Sequence, residues 1–303
     1  MKPLWGIDLG GTKIEGVVLN PTPGIPRVLS RLRIPTEADR GYEHIIGQIG
    51  KLIGLLSAET GLRPDRIGIG TPGALDTHTR TLKNSNATSL NGQPFGQDLE
   101  RALGLPFVIA NDANCFALAE ARMGAVAEAA PEAPVVFGVI MGSGVGGGVV
   151  VDGQVLNGRH AIAGEWGHNF LDESGGPCYC GKVGCVETVL SGPSLQRYYQ
   201  SVSGQFRKLP EIVERHRQQN DPHATATVQR LTHFFGLGLS VVVNLLDPDA
   251  IVLGGGVGNV DLLYTEGVAE LRKFVFNSRL DTLVLRPKLG DSAGVFGAAL
   301  LVR

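Results

Sequence analysis

Cys178, Cys180 and Cys185, with His168 ten positions before the first of them, offer three thiolates and one imidazole. That is a tetrahedral ligand set for zinc. Disulfide pairing would leave one of the three unpaired, and Cys178 and Cys180 are too near in sequence to pair comfortably. The competing reading is reduced thiols without a metal. The fourth cysteine, Cys115, sits in an apolar, helix-like run and reads as core. Four protein ligands leave no position for an activated water, so a metal here would shape the site and not perform the chemistry. Two carboxylates, Glu165 and Glu187, bracket the cluster, and a metal that closes the loop would fix where they point.

Chemistry is expected at other residues. Asp8-Leu9-Gly10-Gly11-Thr12-Lys13 places a carboxylate at a strand end and then a glycine turn. Glycines let backbone N–H groups approach phosphate, and Thr12 and Lys13 add a hydroxyl and a cation. Asp8 is suited to Mg²⁺, which keeps most of its waters and takes one or two carboxylates. A tight hairpin would need the same glycines. The second glycine run, Gly142-Ser143-Gly144-Val145-Gly146-Gly147-Gly148, contains GxGxxG, but a dinucleotide site requires a helix directly after it. Val149-Val150-Val151 reads instead as a strand, so a second phosphate-binding hairpin is expected. Gly254-Gly255-Gly256 ends a third strand and leaves room for a base or ribose. Together the three loops suit a nucleoside triphosphate.

Asp112 follows a strand, beside Asn111, at a helix start. Asn-Asp there is ordinary capping. The functional reading is a general base for a substrate hydroxyl, because phosphoryl transfer asks of the protein alignment, charge neutralisation and one proton acceptor. A helix N-terminus favours the ionised carboxylate that a base requires.

The elements that must position these residues are legible as patterns. Strands are expected at Leu4 to Leu9, Ile14 to Leu19, Val28 to Ile34, Ile67 to Ile69, Phe107 to Ala110, Val135 to Ile140, Val149 to Val151 and Ala250 to Leu253. Helical spacing of Ile45, Ile46, Ile49, Leu52, Ile53 and Leu56 predicts a helix from Tyr42 to Leu56. Further helices are expected from Asn111-Asp112 to Arg122, near Thr188 to Gln200 and over Thr225 to Leu246. Strand, glycine turn and strand recur in that order in each half, which predicts two related α/β domains with a cleft between them.

At 303 residues, 43% hydrophobic, 18% charged and net charge −2, the chain has ordinary globular composition and no basic footprint for nucleic acid. No run of about 18 apolar residues suggests a membrane span. Asp8 interrupts the only apolar stretch near the start, which argues against a signal peptide. Clustered thiols without a disulfide pattern suit a reducing cytoplasm.

The sequence resembles the ROK sugar kinases (repressor, open reading frame, kinase). The likeness rests on Asp8 to Lys13, Gly70 to Gly73, Asn111-Asp112-Ala113-Asn114, Gly142 to Gly148, Glu165-Trp166-Gly167-His168, the cysteine cluster through Glu187, and Asp247-Pro248-Asp249 leading into Gly254 to Gly256. It implies the actin-like, ribonuclease H-like ATPase fold, with residues 1–113 as a smaller domain and 114–303 as a larger one. The last helix, about 291–303, is expected to pack back on the first domain.

The resemblance also implies roles. Asp112 is the expected catalytic base. Gly73, Asn86, Asn111, Asp112, Glu165, His168 and Glu187 are the expected sugar ligands, with His168 serving zinc and sugar through its two ring nitrogens. Cys178, Cys180 and Cys185 complete the zinc site. Asp8, Gly10, Gly11, Thr12 and Lys13, then Gly142, Ser143, Gly144 and Gly146, then Gly254, Gly255 and Gly256, are the expected ATP and Mg²⁺ residues. Ser143 replaces the threonine the family often has and keeps the hydroxyl.

Within the family, the stretches Lys83 to Asn86, Leu90 to Phe95, Ala163 to Asn169 and Pro177 to Lys182 are similar to bacterial fructokinases of the manno(fructo)kinase type, although the loop from Asn169 to Pro177 is shorter. The expected reaction is therefore ATP-dependent phosphorylation of a free hexose, fructose first, with glucose, N-acetylglucosamine or N-acetylmannosamine as alternatives. A sugar-responsive repressor is disfavoured, since only seven residues precede Asp8. The family resemblance also implies a homodimer or higher homo-oligomer, while the composition argues for the cytoplasm and against nucleic acid or membrane partners.

Overall fold

A computed structural model describes every residue except Met1, Pro23 and Asn86, so the expected sugar ligand Asn86 lies outside the described residues. The chain packs as two compact units. One contains Met1–Glu132, Gly148–Ala163 and Lys288–Arg303; the other contains Ala133–Gly147 and Gly164–Pro287.

In chain order the first stretch gives β1 (Leu4–Leu9), β2 (Lys13–Asn20), β3 (Arg27–Pro35), α1 (Tyr42–Thr60), β4 (Ile67–Thr71), β5 (Ala74–Leu75), β6 (Leu82–Lys83), α2 (Phe95–Leu103), β7 (Phe107–Asn111), α3 (Asp112–Arg122) and α4 (Ala125–Ala129). Then follow β8 (Val135–Met141), β9 (Val145–Val151), β10 (Gln154–Val155), α5 (Val186–Leu190), α6 (Gly192–Ser203), α7 (Leu209–Arg217) and α8 (Pro222–Leu246). The last elements are β11 (Ala250–Gly254), α9 (Gly255–Gly258), α10 (Glu266–Phe274), β12 (Leu283–Leu285) and α11 (Ala293–Leu300).

The two large sheets share one order. The first runs β3-β2-β1-β4-β7 and the second β10-β9-β8-β11-β12. In the first, β1 to β3 are antiparallel neighbours, while β1, β4 and β7 run parallel. In the second, β8, β11 and β12 are parallel.

Sequence chemistry explains the elements that carry the site. The apolar face of α1 buries Ile45, Ile46, Ile49, Leu52, Ile53 and Leu56, and Gly61 ends the helix with φ at +69° and its N–H on Ser57 O. This face packs into one core with Trp5, Ile7, Leu9, Ile67 and Ile69. On α8, Asp221 caps the start by accepting from the N–H groups of His223 and Ala224, with Pro222 in the first turn.

Two expected elements differ. The helix expected near Thr188 to Gln200 is two helices, α5 and α6, broken at Ser191. Ser191 caps α6 by accepting from Ser194 N–H, and Pro193 follows it. The second glycine loop is shorter than expected, because β9 already begins at Val145. Gly147 and Gly148 belong to the strand because side chains there would collide: an added Cβ at Gly147 would lie 2.7 Å from Gly164 O, and one at Gly148 would lie 2.5 Å from Ala113 O.

Helix α11 closes the first unit. It packs on β1, β4 and α3. A Cβ on Gly68 would overlap Ala298 O, and one on Gly6 would overlap Ala299 N. Glycine in two neighbouring strands lets the helix backbone rest on the sheet. The fully buried carboxylate of Glu120 accepts N–H bonds from Lys288 (3.0 Å), Leu289 (2.9 Å) and Ala125 (2.7 Å), which fixes the chain just ahead of α11. Gly68→Ala is expected to cost about 1–3 kcal/mol by overpacking, read as a lower denaturant midpoint with an unchanged slope.

Candidate functional site

In the first unit, strand register gathers the expected residues. Asp8 is paired with Gly70, Gly70 with Ala110, and Thr71 with Asn111. The carboxyl ends of β1, β4 and β7 therefore bring Asp8, Gly70–Gly73 and Asn111-Asp112 to one sheet edge, where ligands bind in parallel α/β sheets. Asn111 ties this edge together. Its Nδ2 donates to Gly73 O at 2.9 Å and its Oδ1 accepts from Ala113 N–H at 2.8 Å. Gly73 has φ at +81°, and a side chain there would also overlap Lys83 O, so only glycine fits. Asp112 opens α3 with its side chain exposed, and its Oδ1 accepts from Ala113 N–H at 2.8 Å.

The first glycine turn is closed by Gly10 N–H on Lys13 O at 3.0 Å and braced by Thr36, whose Oγ1 donates to Gly10 O at 2.7 Å. Gly11, Thr12 and Lys13 are exposed beyond it. Burial, then the nearby charges of Asp112 and Glu15, raise the Asp8 carboxyl to about 7, against the opposing pull of Lys13 and Arg33. Glu15, its cross-strand partner, is paired with Arg33 at 2.9 Å and Arg31 at 3.4 Å. A partly buried carboxylate beside a second acid and an open turn is a donor set suited to hydrated Mg²⁺.

In the second unit, Ile140 pairs with Gly254, so β8 and β11 end side by side. Gly142 and Gly144 close a tight turn, N–H to O at 2.8 Å, with Ser143 exposed at its tip. A Cβ on Gly142 would lie 4.0 Å from Gly256 N, so Gly254–Gly256 sits beside this turn. Gly255 has φ at +80° and backs onto Met141 O, where any side chain would collide, while Gly256 faces open space. Gly146, expected in the loop, lies within β9.

The cysteine cluster forms a compact knuckle in the same unit. Cys178 N–H meets Lys182 O at 2.8 Å, and Gly181 N–H meets Cys178 O at 3.0 Å. Donor atoms of His168, Cys178, Cys180 and Cys185 all lie within 4.8 Å of one another. Cys180 and Cys185 sulfurs are 3.6 Å apart, and His168 Nδ1 is 3.7 Å from Cys178 Sγ. Metal–ligand bonds of about 2.0–2.3 Å in a tetrahedron give separations of this size. The arrangement fits one zinc ion held through Nδ1. Burial pushes the Cys178 and Cys185 thiols up, whereas the Lys182 N–H draws Cys180 down.

Of the expected sugar ligands here, Glu165 is half-buried, and burial raises its carboxyl, as does the charge of Glu187, against a lowering by His168. His168 Nε2 contacts the hydroxyl of Tyr179 at 3.0 Å, and the two rings meet edge to face. Glu187 Oε2 accepts from Val145 N–H at 3.0 Å. The Nε1–H of Trp166 donates to Gly146 O at 3.2 Å. Tyr179 and Trp166 were missed in the sequence as site residues. Their only signal was position inside Cys-Tyr-Cys and Glu-Trp-Gly-His.

Two five-stranded sheets that repeat one strand order, flanked by helices, define the actin-like, ribonuclease H-like fold. The chain belongs to the ROK family, whose model matches residues 4–303. It is 35% identical over 307 aligned positions to an N-acetyl-D-glucosamine kinase of Vibrio parahaemolyticus serotype O3:K6 (strain RIMD 2210633), covering 98% of each chain. A ROK hexokinase from Thermus thermophilus superposes with a TM-score of 0.87 at 34% identity, covering 99% of this chain and 97% of that one. A ROK family glucokinase from Streptomyces griseus, in complex with glucose and AMPPNP, superposes at 0.76 with 29% identity, covering 98% of each. Among the described residues no helix is long and apolar enough to cross a membrane.

Two outcomes are expected. Purified protein carries one zinc per chain by mass spectrometry, and Cys185→Ser brings it to background; undiminished zinc in that variant takes Cys185 out of the ligand set. For Asp8, a pKa raised from 3.8 to about 7 means the folded state holds the proton more tightly than the unfolded state. Folding stability then falls as pH rises through that window, and a cation must displace the proton below about pH 7. Mg²⁺ affinity in the presence of ADP should rise from about pH 6 to about pH 8, with proton release seen by calorimetry in buffers of different ionisation enthalpy. Asp8→Asn should flatten that rise.

Proposed function

We propose that this protein transfers the γ-phosphoryl group of ATP to a hydroxyl of a free hexose. The observation that carries this reading is the sheet edge at which register gathers Asp8, the exposed glycine turn, the helix-capping Asn111 and Asp112 at the start of α3. In this reading Asp112 accepts the proton of the hexose hydroxyl as its oxygen attacks the γ-phosphorus, and the bond from that phosphorus to the bridging oxygen of ADP breaks. Asn111, anchored on Gly73 O, orients the hexose beside Asp112. Backbone N–H groups of Gly10–Lys13 and of Gly142–Gly144 hold phosphate oxygens, and the exposed Gly256 leaves room for the nucleoside. Mg²⁺ would be held through Asp8 and would neutralise charge on the transferring phosphoryl group. Glu165, His168 and Glu187 are assigned to hexose hydroxyls, their positions fixed by the zinc knuckle.

For the hexose, the relative from Vibrio parahaemolyticus and one from Aliivibrio fischeri (strain ATCC 700601 / ES114), each 35% identical over 98% of this chain, are N-acetyl-D-glucosamine kinases. They favour N-acetyl-D-glucosamine over the fructose expected from Lys83 to Asn86, Leu90 to Phe95, Ala163 to Asn169 and Pro177 to Lys182. Fructose remains the second reading, on those stretches alone.

An ADP-coupled assay across N-acetylglucosamine, N-acetylmannosamine, glucose, mannose and fructose tests the substrate, with the highest kcat/KM expected for N-acetylglucosamine. Asp112→Asn should lower kcat on the order of a thousandfold while hexose affinity by calorimetry stays within a few-fold. Wild-type turnover in that variant would sink the base assignment.

A further inference from the structure

The loop that carries the proposed hexose ligands is bonded on both sides of the zinc knuckle to the second glycine turn or the start of β9 that follows it. Before the knuckle, the Nε1–H of Trp166 donates to Gly146 O at 3.2 Å, and Gly167 lies so close to Val145 O that a side chain would overlap it. After the knuckle, Glu187 Oε2 accepts from Val145 N–H at 3.0 Å, and Gly192 N–H donates to Gly142 O at 2.8 Å. Gly144 makes room for the carboxylate, since a Cβ there would sit 2.5 Å from Glu187 Oε2. Among the described residues Glu187 Oε1 has no hydrogen-bond partner, so one oxygen faces the turn while the other stays available.

We propose that Glu187 is a positioning residue for the nucleotide as well as a hexose ligand. Resting on the kinase reading above, the assignment gives its two oxygens separate jobs. Oε2 holds Val145 N–H and sets the backbone of Gly142–Gly144, while Oε1 meets the hexose. A carboxylate accepting a backbone N–H makes a charge-assisted bond and draws that amide toward one orientation. Loss of this acceptor frees the turn whose N–H groups are assigned to phosphate.

The test measures AMPPNP binding by calorimetry without hexose, on zinc-loaded, full-length protein. This separates the positioning role from hexose recognition. Glu187→Ala should weaken AMPPNP about tenfold, the loss expected for one charge-assisted bond, while Glu187→Gln, which keeps an oxygen acceptor, should stay within about threefold of wild type. Hexose affinity should fall in both. Wild-type AMPPNP affinity in Glu187→Ala overturns the proposal, as does an equal loss in Glu187→Gln. Should Glu187→Ala fail to fold, Gly144→Ala pushes Oε2 off the Val145 N–H without removing the carboxylate from the chain. It should weaken AMPPNP and speed hydrogen exchange at the Val145 amide, and unchanged values of both overturn the proposal. If wild type binds neither AMPPNP nor any hexose, the kinase reading fails instead.

Discussion

Parallel register between β1, β4 and β7 is the constraint on which the first unit's site depends. With Asp8 paired to Gly70 and Gly70 to Ala110, three strand ends deliver a carboxylate, a glycine turn and a helix cap to one edge. A slip of one residue would turn every side chain of the slipped strand to the opposite face. Asp8 would then leave its place beside Asp112, and the raised affinity of its carboxyl for protons would vanish with the burial that causes it. The apolar residues that fix this register, Trp5, Ile7, Ile67 and Ile69, are core residues that touch no substrate in the proposed reaction.

Glycine does different work in the two units. In β1 and β4, Gly6 and Gly68 admit a helix backbone, which is packing. At Gly255 a positive φ combines with a carbonyl against the α-carbon, which is a sharp turn at a strand end. Gly144 yields space to a carboxylate. The single compositional fact of 43 glycines thus divides into separate physical reasons, each demanding a residue without Cβ.

Much of this was legible in the sequence where the signal is local. The spacing of His168, Cys178, Cys180 and Cys185 predicts their convergence, because the knuckle is built from neighbours in the chain. Helix α1 follows from six apolar residues at helical spacing. The break at Ser191 had a signal, Ser191-Gly192-Pro193, that the apolar run on either side obscured. The bond from Val145 to Glu187 crosses 42 positions and depends on how a strand and a loop meet, which no local pattern encodes. Likewise, Gly146 to Gly148 read as loop because glycine is rare inside strands. Only the crowding of Gly147 by Phe137 and Trp166 and of Gly148 by Ala113 explains why β9 needs glycine at those two positions.

The first strand of the first unit is covered by a helix that lies far along the chain: Ala293–Leu300 packs on Leu4–Leu9. The contact is non-local, and the core of this unit closes only when both segments are in place. While α11 is undocked, the sheet face around Gly6 and Gly68 stays uncovered, a state in which partly folded chains are prone to association. Bringing the two segments together carries a loop-closure cost that grows with the logarithm of the intervening length. Completion of this unit thus rests on the kind of contact that forms most slowly, one between distant positions.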